Sequence, residues 1–159
     1  MQLYHGSNVV VTAPRLLKSE RSLDFGNGFY LTSDFGQAAK WAVSKTKRTK
    51  VGEPFISVFE MKEDIWQTLK VLKFTVASHE WLRFVSANRQ RQVIDCDADV
   101  VIGPVANDNT MPVLNLFFSG AYTEDEAIKR LLTQKLKDQF VFRTTKAIAS
   151  LVFKEVLRP

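Results

Sequence analysis

The sequence predicts a mixed α+β fold, and three observations lead to that class. Short segments of strand composition alternate with amphipathic segments of helical period along the 159 residues. A Rossmann domain would need regular helical crossovers and a Gly-x-Gly-x-x-Gly turn after the first strand, and the sequence has neither. No linker rich in Pro, Gly or Ser, no repeat and no low-complexity tract divides the chain. Residues 1–159 are therefore expected to form one domain.

Two short strands and a helix are predicted in the N-terminal third. Gln2 to His5 and Gly28 to Thr32 contain Leu, Tyr, Phe and Thr, which suit a half-buried pleated surface. The stretch between them is expected to be an irregular connection. The pair Ser33-Asp34 precedes apolar residues at helical spacing from Phe35 to Val43, and both side chains can accept hydrogen bonds from free backbone N–H groups. We expect this capped helix to lie against a sheet.

The middle of the chain contains two more predicted strands and one helix. Phe55 to Met61 has strand composition with partial alternation, whereas Leu69 to Val76 has a mixed pattern that fits neither element. His79 to Ala87 fits a helix with clustered apolar residues. Asp99 to Val105 predicts a buried strand that ends at the Gly103-Pro104 pair, since Pro cannot continue a hydrogen-bonded ladder.

A helix and two strands are predicted in the C-terminal third. Thr123 to Leu136 has acidic residues in its first turn, which complement the positive end of a helix dipole, and then an apolar face. Gln139 to Arg143 and Leu151 to Leu157 read as strands, and Thr144 to Ser150 is either a turn or a short helix.

The net charge of +5 and the pI near 9.4 are compatible with a polyanionic partner, because Lys and Arg neutralise phosphates. The densest basic cluster, Lys45 to Lys50, is expected directly after the first helix, and a second group comprises Arg83, Arg89 and Arg91. Both groups fit either a solvated face or a nucleic-acid groove.

Several kinds of structure are not expected. The single cysteine, Cys96, excludes an intramolecular disulfide framework and cannot by itself build a structural metal site, so no metal is predicted. No apolar run reaches membrane-spanning length, and the first residues lack the basic flank and apolar stretch of a signal peptide. We therefore expect a cytoplasmic protein with no membrane partner.

Two motifs carry a family resemblance. The segment Leu3-Tyr4-His5-Gly6-Ser7 resembles the His-Gly-Ser strand of the poly-ADP-ribose polymerase and diphtheria-toxin class of ADP-ribosyltransferases. The segment from Asp24 to Thr32 contains Gly26-Asn27-Gly28-Phe29-Tyr30 and resembles the Gly-x-Gly-x-Tyr strand of that class. Each motif alone also fits a turn histidine or a hairpin loop. Their joint occurrence in the same order favours the resemblance, which implies a split antiparallel sheet with flanking helices and NAD as co-substrate.

The resemblance implies a task for each motif residue in the nicotinamide slot between the first two strands. His5 would hydrogen-bond the hydroxyls of the NAD ribose. Gly6 would offer its backbone N–H and C=O to the carboxamide, because a side chain there would block the approach, and Ser7 would add a hydroxyl. Tyr30 would stack on the nicotinamide plane, and Gly28 would let its loop close over the ligand.

The third catalytic position of the class is normally a glutamate, and here the matching residue is Gln139. The run Asp138-Gln139-Phe140-Val141-Phe142 resembles the class's Asn-Glu-Tyr segment at the start of a late strand. An amide accepts a hydrogen bond from a hydroxyl but supplies neither a base nor a full negative charge. This departure argues against polymer elongation and for single ADP-ribose transfer, and predicts that Gln139→Glu preserves or raises NAD cleavage. Gln139 also fits a plain residue at the start of a strand.

The sequence signals for a further catalytic group and for the phosphate ligands are less specific. Asp108, in a polar loop after a buried strand, fits either a base or electrostatic stabiliser or an ordinary turn residue. Arg89 fits either a bidentate ligand of the NAD pyrophosphate or a helix-end charge. Arg15 and Arg21 are rival phosphate ligands by resemblance, because the segment between the two motifs passes over the phosphates in the class.

The resemblance extends over nearly the whole chain. Leu3 to Trp41, Val101 to Asn109 and Asp138 to Leu151 together resemble a bacterial family of small ADP-ribosyltransferase-like proteins, thought to include toxins paired with an antitoxin. It implies NAD-dependent mono-ADP-ribosylation of an intracellular macromolecule (protein, RNA or DNA) and an antitoxin partner. Two other functions use the same pocket: a catalytically silent module that binds NAD or ADP-ribose, and an NAD glycohydrolase with water as acceptor.

Overall fold

The computed structural model of the protein describes residues 1–18, 22–106 and 109–159, and strands and helices alternate irregularly along them. In chain order these are β1 (Gln2–Ser7), β2 (Phe29–Leu31), α1 (Phe35–Thr49), β3 (Phe55–Glu60), a 3-10 helix (Glu63–Thr68), β4 (Val71–Lys73), α2 (His79–Arg89), β5 (Val100–Pro104), α3 (Met111–Phe118), α4 (Glu124–Leu132), β6 (Asp138–Phe142), α5 (Thr145–Ala149) and β7 (Val152–Leu157).

The strands form two open sheets. The first has the order β1-β3-β7 and is antiparallel throughout. The second has the order β2-β6-β5-β4, in which β2 and β5 run antiparallel to β6 while β4 and β5 are parallel. The α+β class predicted from the sequence is therefore confirmed. The parallel β4–β5 pair departs from the purely antiparallel arrangement expected, because α2 and the loop after it carry the chain back to the same edge.

The two sheets touch at one point, where β1 meets the end of β2. Tyr4 N–H donates to the Thr32 carbonyl at 2.8 Å, and Thr32 N–H donates to the Tyr4 carbonyl at 3.0 Å. This isolated bridge is the only backbone pairing between the sheets among the described residues. The whole of β1 pairs with β3 in the first sheet, whereas β2 pairs with β6 in the second. The sheets thus diverge where the two sequence motifs lie.

The first helix is specified by local capping and by close packing on β1. The Asp34 carboxylate accepts a hydrogen bond from Gln37 N–H at 2.7 Å, which satisfies a free donor of the first turn and confirms the predicted cap. A Cβ placed on Gly6 would lie 1.9 Å from the Ala38 carbonyl oxygen. The missing side chain at Gly6 therefore allows the α1 backbone to approach the sheet.

Three local expectations differ from the structure. The basic residues from Lys45 are not a loop after the helix: α1 runs to Thr49 and ends at Lys50, whose left-handed φ of 54° stops it. Lys, Arg and Thr do not break a helix, so composition alone gave no end signal. The unassigned pattern at 69–76 contains β4, and α3 was not predicted at all. In α3 most residues are apolar, which obscures helical periodicity.

Two apolar clusters fill the interior. One packs Phe25, Trp81 and Leu131 with other buried residues between α2, α4 and the second sheet. The other packs Leu3 and Phe59 of the first sheet against apolar residues of β2, β5 and β6 in the second sheet and against α5. No helix formed by the described residues is long and apolar enough to cross a membrane.

Candidate functional site

A cavity of about 410 Å³ opens where the two sheets diverge. His5 and Gly6 line it from β1, Tyr30 from β2 and Gln139 from β6, and Arg89 lines it from the end of α2. Two other cavities in the described part of the chain are larger, about 670 Å³ and 510 Å³, but neither is lined by His5, Tyr30 or Gln139. The 410 Å³ cavity therefore gathers residues that the sequence assigns to one site from separate strands.

The His5 imidazole is neutral and has a defined tautomer. Its Nδ1 lies 2.8 Å from the Tyr30 backbone oxygen, which can only accept, so Nδ1 carries the proton and donates. Burial, with a smaller contribution from the charge of Lys45, lowers the pKa of His5 to about 4, although the hydrogen bond to the Tyr30 carbonyl acts in the opposite direction. Nε2 is left as a hydrogen-bond acceptor, and the described residues supply no donor to it. His5 can therefore accept a hydrogen bond from a ligand hydroxyl.

The Tyr30 ring lines the cavity while its hydroxyl is bound inside the protein. The hydroxyl donates to the Gly26 carbonyl at 2.6 Å and accepts from Phe25 N–H at 3.2 Å. Burial raises the pKa of Tyr30 well above its ordinary range, so the hydroxyl stays protonated. Tyr30 is therefore fixed in place, with a protonated hydroxyl that is engaged in hydrogen bonds to the protein's own backbone.

A buried carboxylate, Asp24, joins the two sides of the cavity. It is 5% exposed, and its Oδ1 accepts from Arg89 Nη2 at 2.5 Å and from Arg89 Nε at 2.6 Å. Its Oδ2 accepts from Ala106 N–H at 3.1 Å and from Gln139 Nε2 at 3.2 Å. Among the described residues that line the cavity, Asp24 is the only carboxylate, and its charge is matched by Arg89.

The Gln139 amide is oriented by two acceptors. Its Nε2 donates to Asp24 and, at 3.3 Å, to the Pro104 carbonyl. A flipped amide would set Oε1 against both acceptors, so the nitrogen must face them and the oxygen must face away. The next residue back, Asp138, accepts from Ser33 N–H at 2.8 Å and ties the start of β6 to the end of β2. Gln139 is thus held rigidly in the cavity wall at 2% exposure.

The remaining predicted site residues lie elsewhere. Ser7 is buried beside the cavity instead of lining it, and its Oγ accepts from Lys45 Nζ at 3.1 Å. Gly28 packs against β6, since a Cβ there would lie 2.8 Å from the Phe142 carbonyl oxygen. Arg15 is exposed and does not line the cavity. The predictions for Arg21 and Asp108 concern positions outside the described residues.

Sequence reasoning missed two features of the cavity wall. Asp24 lies in the second motif, but no local signal indicates its role, because its partners are 65 and 115 residues away. One face of α1 also lines the cavity, through Trp41, Ser44, Lys45 and Arg48. Their i, i+3, i+4, i+7 spacing marks a single helical face and was the available signal.

The cavity wall combines aromatic residues, a hydrogen-bond acceptor and a fixed amide. Tyr30 and Trp41 contribute aromatic residues to the lining, and His5 Nε2 is a hydrogen-bond acceptor. Gln139 adds a fixed amide without charge. Among the described lining residues only Asp24 is negatively charged, whereas Lys45, Arg48 and Arg89 are positively charged, so the cavity suits an anionic ligand.

The fold and the site together define an α+β protein with a polar, ring-lined cavity between two diverging sheets. Residues 1–153 match a family model described as a protein of unknown function (DUF3990), and the chain belongs to that family. No curated protein and no solved structure matches the chain significantly.

Proposed function

We propose that the protein is an NAD-dependent mono-ADP-ribosyltransferase with an ADP-ribosyltransferase-like fold. The observation that supports this best is the meeting of His5, Tyr30 and Gln139, from three strands distant in sequence, around one cavity at the split between the sheets. The sequence resemblance names the same three positions. In this proposal NAD is the co-substrate, and a bacterial protein, RNA or DNA in the cytoplasm is the acceptor, with an antitoxin as silencing partner.

The reaction breaks the bond between C1′ of the NAD ribose and the nicotinamide nitrogen, and that electron pair leaves with nicotinamide. A nucleophilic oxygen or nitrogen of the acceptor then bonds to C1′ and releases its proton to water. His5 Nε2 and the Gln139 oxygen orient the ribose hydroxyls, and the Tyr30 ring face holds the nicotinamide plane. Neither His5 nor Gln139 supplies negative charge to the developing oxocarbenium, which fits slow, single transfer.

A catalytically silent NAD-binding module is the second candidate, and one observation favours it. The catalytic carboxylate position holds an amide, and the nearby Asp24 carboxylate is committed to Arg89, Ala106 and Gln139. Such a site keeps its binding contacts and lacks a free charge, so binding would survive better than turnover.

The test uses purified protein, NAD labelled in its ADP-ribose part, and bacterial lysate. Protein, RNA, DNA and free nicotinamide are separated after incubation. We expect label on one polymer with the wild type and with His79→Ala, the matched control at the other histidine, which pairs with Glu124 outside the cavity. His5→Ala and Tyr30→Ala should abolish labelling while their circular dichroism spectra stay native.

Other outcomes of this experiment would assign a different function to the protein. Nicotinamide release without polymer label identifies an NAD glycohydrolase, and NAD binding without turnover identifies the silent module. Absence of NAD binding by the wild type, or full turnover by His5→Ala, contradicts the pocket assignment itself.

A further inference from the structure

The face of α1 that lines the cavity changes from aromatic to basic along the helix. Trp41 and Ser44 come first, and Lys45 and Arg48 follow on the same face. At about 1.5 Å rise per residue, Lys45 lies roughly 6 Å and Arg48 roughly 10 Å beyond Trp41 along the helix axis. A ligand whose ring lies at Trp41 would therefore extend along α1 towards two cations.

These two cations are not neutralised by the described part of the protein. Lys45 Nζ donates to the Ser7 hydroxyl, which carries no charge, and neither Lys45 nor Arg48 forms an ion pair with any described carboxylate. Other cations nearby are paired: Arg89 with Asp24 in the same cavity, and Lys137 with Asp34 at 2.6 Å near the start of α1. The α1 wall therefore keeps an excess of two positive charges.

Their proximity is electrostatically unfavourable without a counter-charge. Partial burial lowers the pKa of the Lys45 ammonium, and the positive charge of Arg48 lowers it further. Cations near a helix C-terminus interact favourably with the helix dipole, and this interaction is a sufficient reason for the position of the exposed Lys47. That effect requires no burial, so it does not account for the placement of Lys45 in the cavity wall. An anion bound between the two cations would offset both the burial and the repulsion.

We propose that Lys45 and Arg48 form a phosphate-binding subsite for the pyrophosphate of a nucleotide ligand whose ring lies nearer Trp41. The subsite itself rests on the charges of α1; only the identity of the nucleotide as NAD rests on the proposed function. This subsite differs from the expectation based on the sequence, in which Arg15, Arg21 or Arg89 binds the phosphates. Of these, Arg15 does not line the cavity, Arg21 is outside the described residues, and Arg89 is already neutralised by Asp24.

The test measures binding by titration calorimetry with three probes: ADP-ribose, inorganic pyrophosphate and nicotinamide, which has no phosphate. The variants are Lys45→Met, Arg48→Gln and the double variant, with thermal unfolding as a check on folding. Lys47→Gln is the matched control, because Lys47 is an exposed cation on the same helix that does not line the cavity. Arg48 is also exposed, so its single variant keeps the test valid if Lys45→Met unfolds.

We expect each single variant to weaken ADP-ribose and pyrophosphate binding about 10-fold and the double variant about 100-fold, as for lost charge-assisted hydrogen bonds. Nicotinamide binding by all variants and all binding by Lys47→Gln should stay within about twofold of wild type. Wild-type affinity in the double variant, an equal loss in Lys47→Gln, or no pyrophosphate binding by the wild type overturns the proposal.

The two proposals fail in distinguishable ways. If wild-type protein binds pyrophosphate and ADP-ribose through Lys45 and Arg48 but neither binds nor cleaves NAD, the subsite stands and the transferase assignment fails. If NAD is cleaved while the double variant keeps wild-type affinity, the assignment stands and the subsite fails.

Discussion

The contact between Gln139 and Asp24 makes a glutamate at position 139 unfavourable. In Gln139→Glu, a carboxylate oxygen replaces the amide nitrogen that donates to Asp24 at 3.2 Å and to the Pro104 carbonyl at 3.3 Å. Two hydrogen bonds are lost, and two buried like charges face each other. This reverses the expectation from the sequence alone, which predicted that a carboxylate at Gln139 would preserve or raise NAD cleavage.

Protonation of the introduced carboxyl group limits how much stability the Gln139→Glu variant loses. Two unit charges 3.2 Å apart repel by about 5 kcal/mol at an effective dielectric constant of about 20. The introduced carboxyl group avoids this repulsion by binding a proton, which costs about 3.7 kcal/mol at pH 7 for a glutamic acid of ordinary pKa about 4.3. Protonation is the cheaper route and sets the upper limit, whereas the positive charge of Arg89 stabilises the ionised form and lowers the cost of the alternative, charged state. We therefore expect a loss of about 3 kcal/mol in the free energy of unfolding at pH 7.

The pH dependence gives the sharper test. The pKa of the introduced carboxyl group is raised in the folded state, so the folded variant binds more protons than its unfolded chain and loses stability as pH rises above about 4.3. The deficit relative to wild type should grow by up to about 1.4 kcal/mol per pH unit between about pH 5 and 7. Urea unfolding of wild type and variant across this pH range measures it.

The double variant Asp24→Asn with Gln139→Glu is the control for this reasoning. It exchanges carboxylate and amide and so removes the like-charge contact, and part of the lost stability at neutral pH should return; the Ala106 N–H and the Pro104 carbonyl still lose their partners. NAD turnover should be lost in the single variant and partly recovered in the double. A Gln139→Glu protein as stable as wild type at neutral pH, or with a pH-independent deficit, refutes the contact argument.

Three further changes have defined outcomes. Gly6→Ala sets a Cβ 1.9 Å from the Ala38 carbonyl oxygen, so thermal unfolding should show a loss of about 2–3 kcal/mol; an unchanged melting temperature would mean that α1 does not pack as described. The lowered pKa of His5, about 4, means that its contribution to stability is complete above about pH 6.5 and is lost as pH falls towards 4. His5→Gln removes this titration, so between about pH 7 and 4 the variant should lose about 2–3 kcal/mol less stability than wild type, measured by urea unfolding. Trp41→Ala should weaken nicotinamide binding about 10-fold in calorimetry with little change in stability, and unchanged affinity would remove Trp41 from the site.

Elements with strong local signals were predictable from the sequence. The cap at Asp34, the acidic first turn of α4 and the strand composition of β1 and β2 each depend on neighbouring residues, and the structure confirms them. The capping box of Thr123 and Glu126 satisfies donors within a single turn. The end of α1 and the whole of α3 were not predictable, because their residues fit several local structures equally well and packing decides between them.

By itself the sequence determined the class of fold, the order of most elements and the candidates His5, Gly6, Tyr30 and Gln139. The tertiary structure decided what surrounds them. The orientation of the Gln139 amide depends on Asp24, 115 residues away, and the burial of Lys45 depends on how closely α1 approaches Gly6. Helical and strand periodicity arises between residues a few positions apart, whereas charge balance and amide orientation depend on which distant side chains the folded chain brings together.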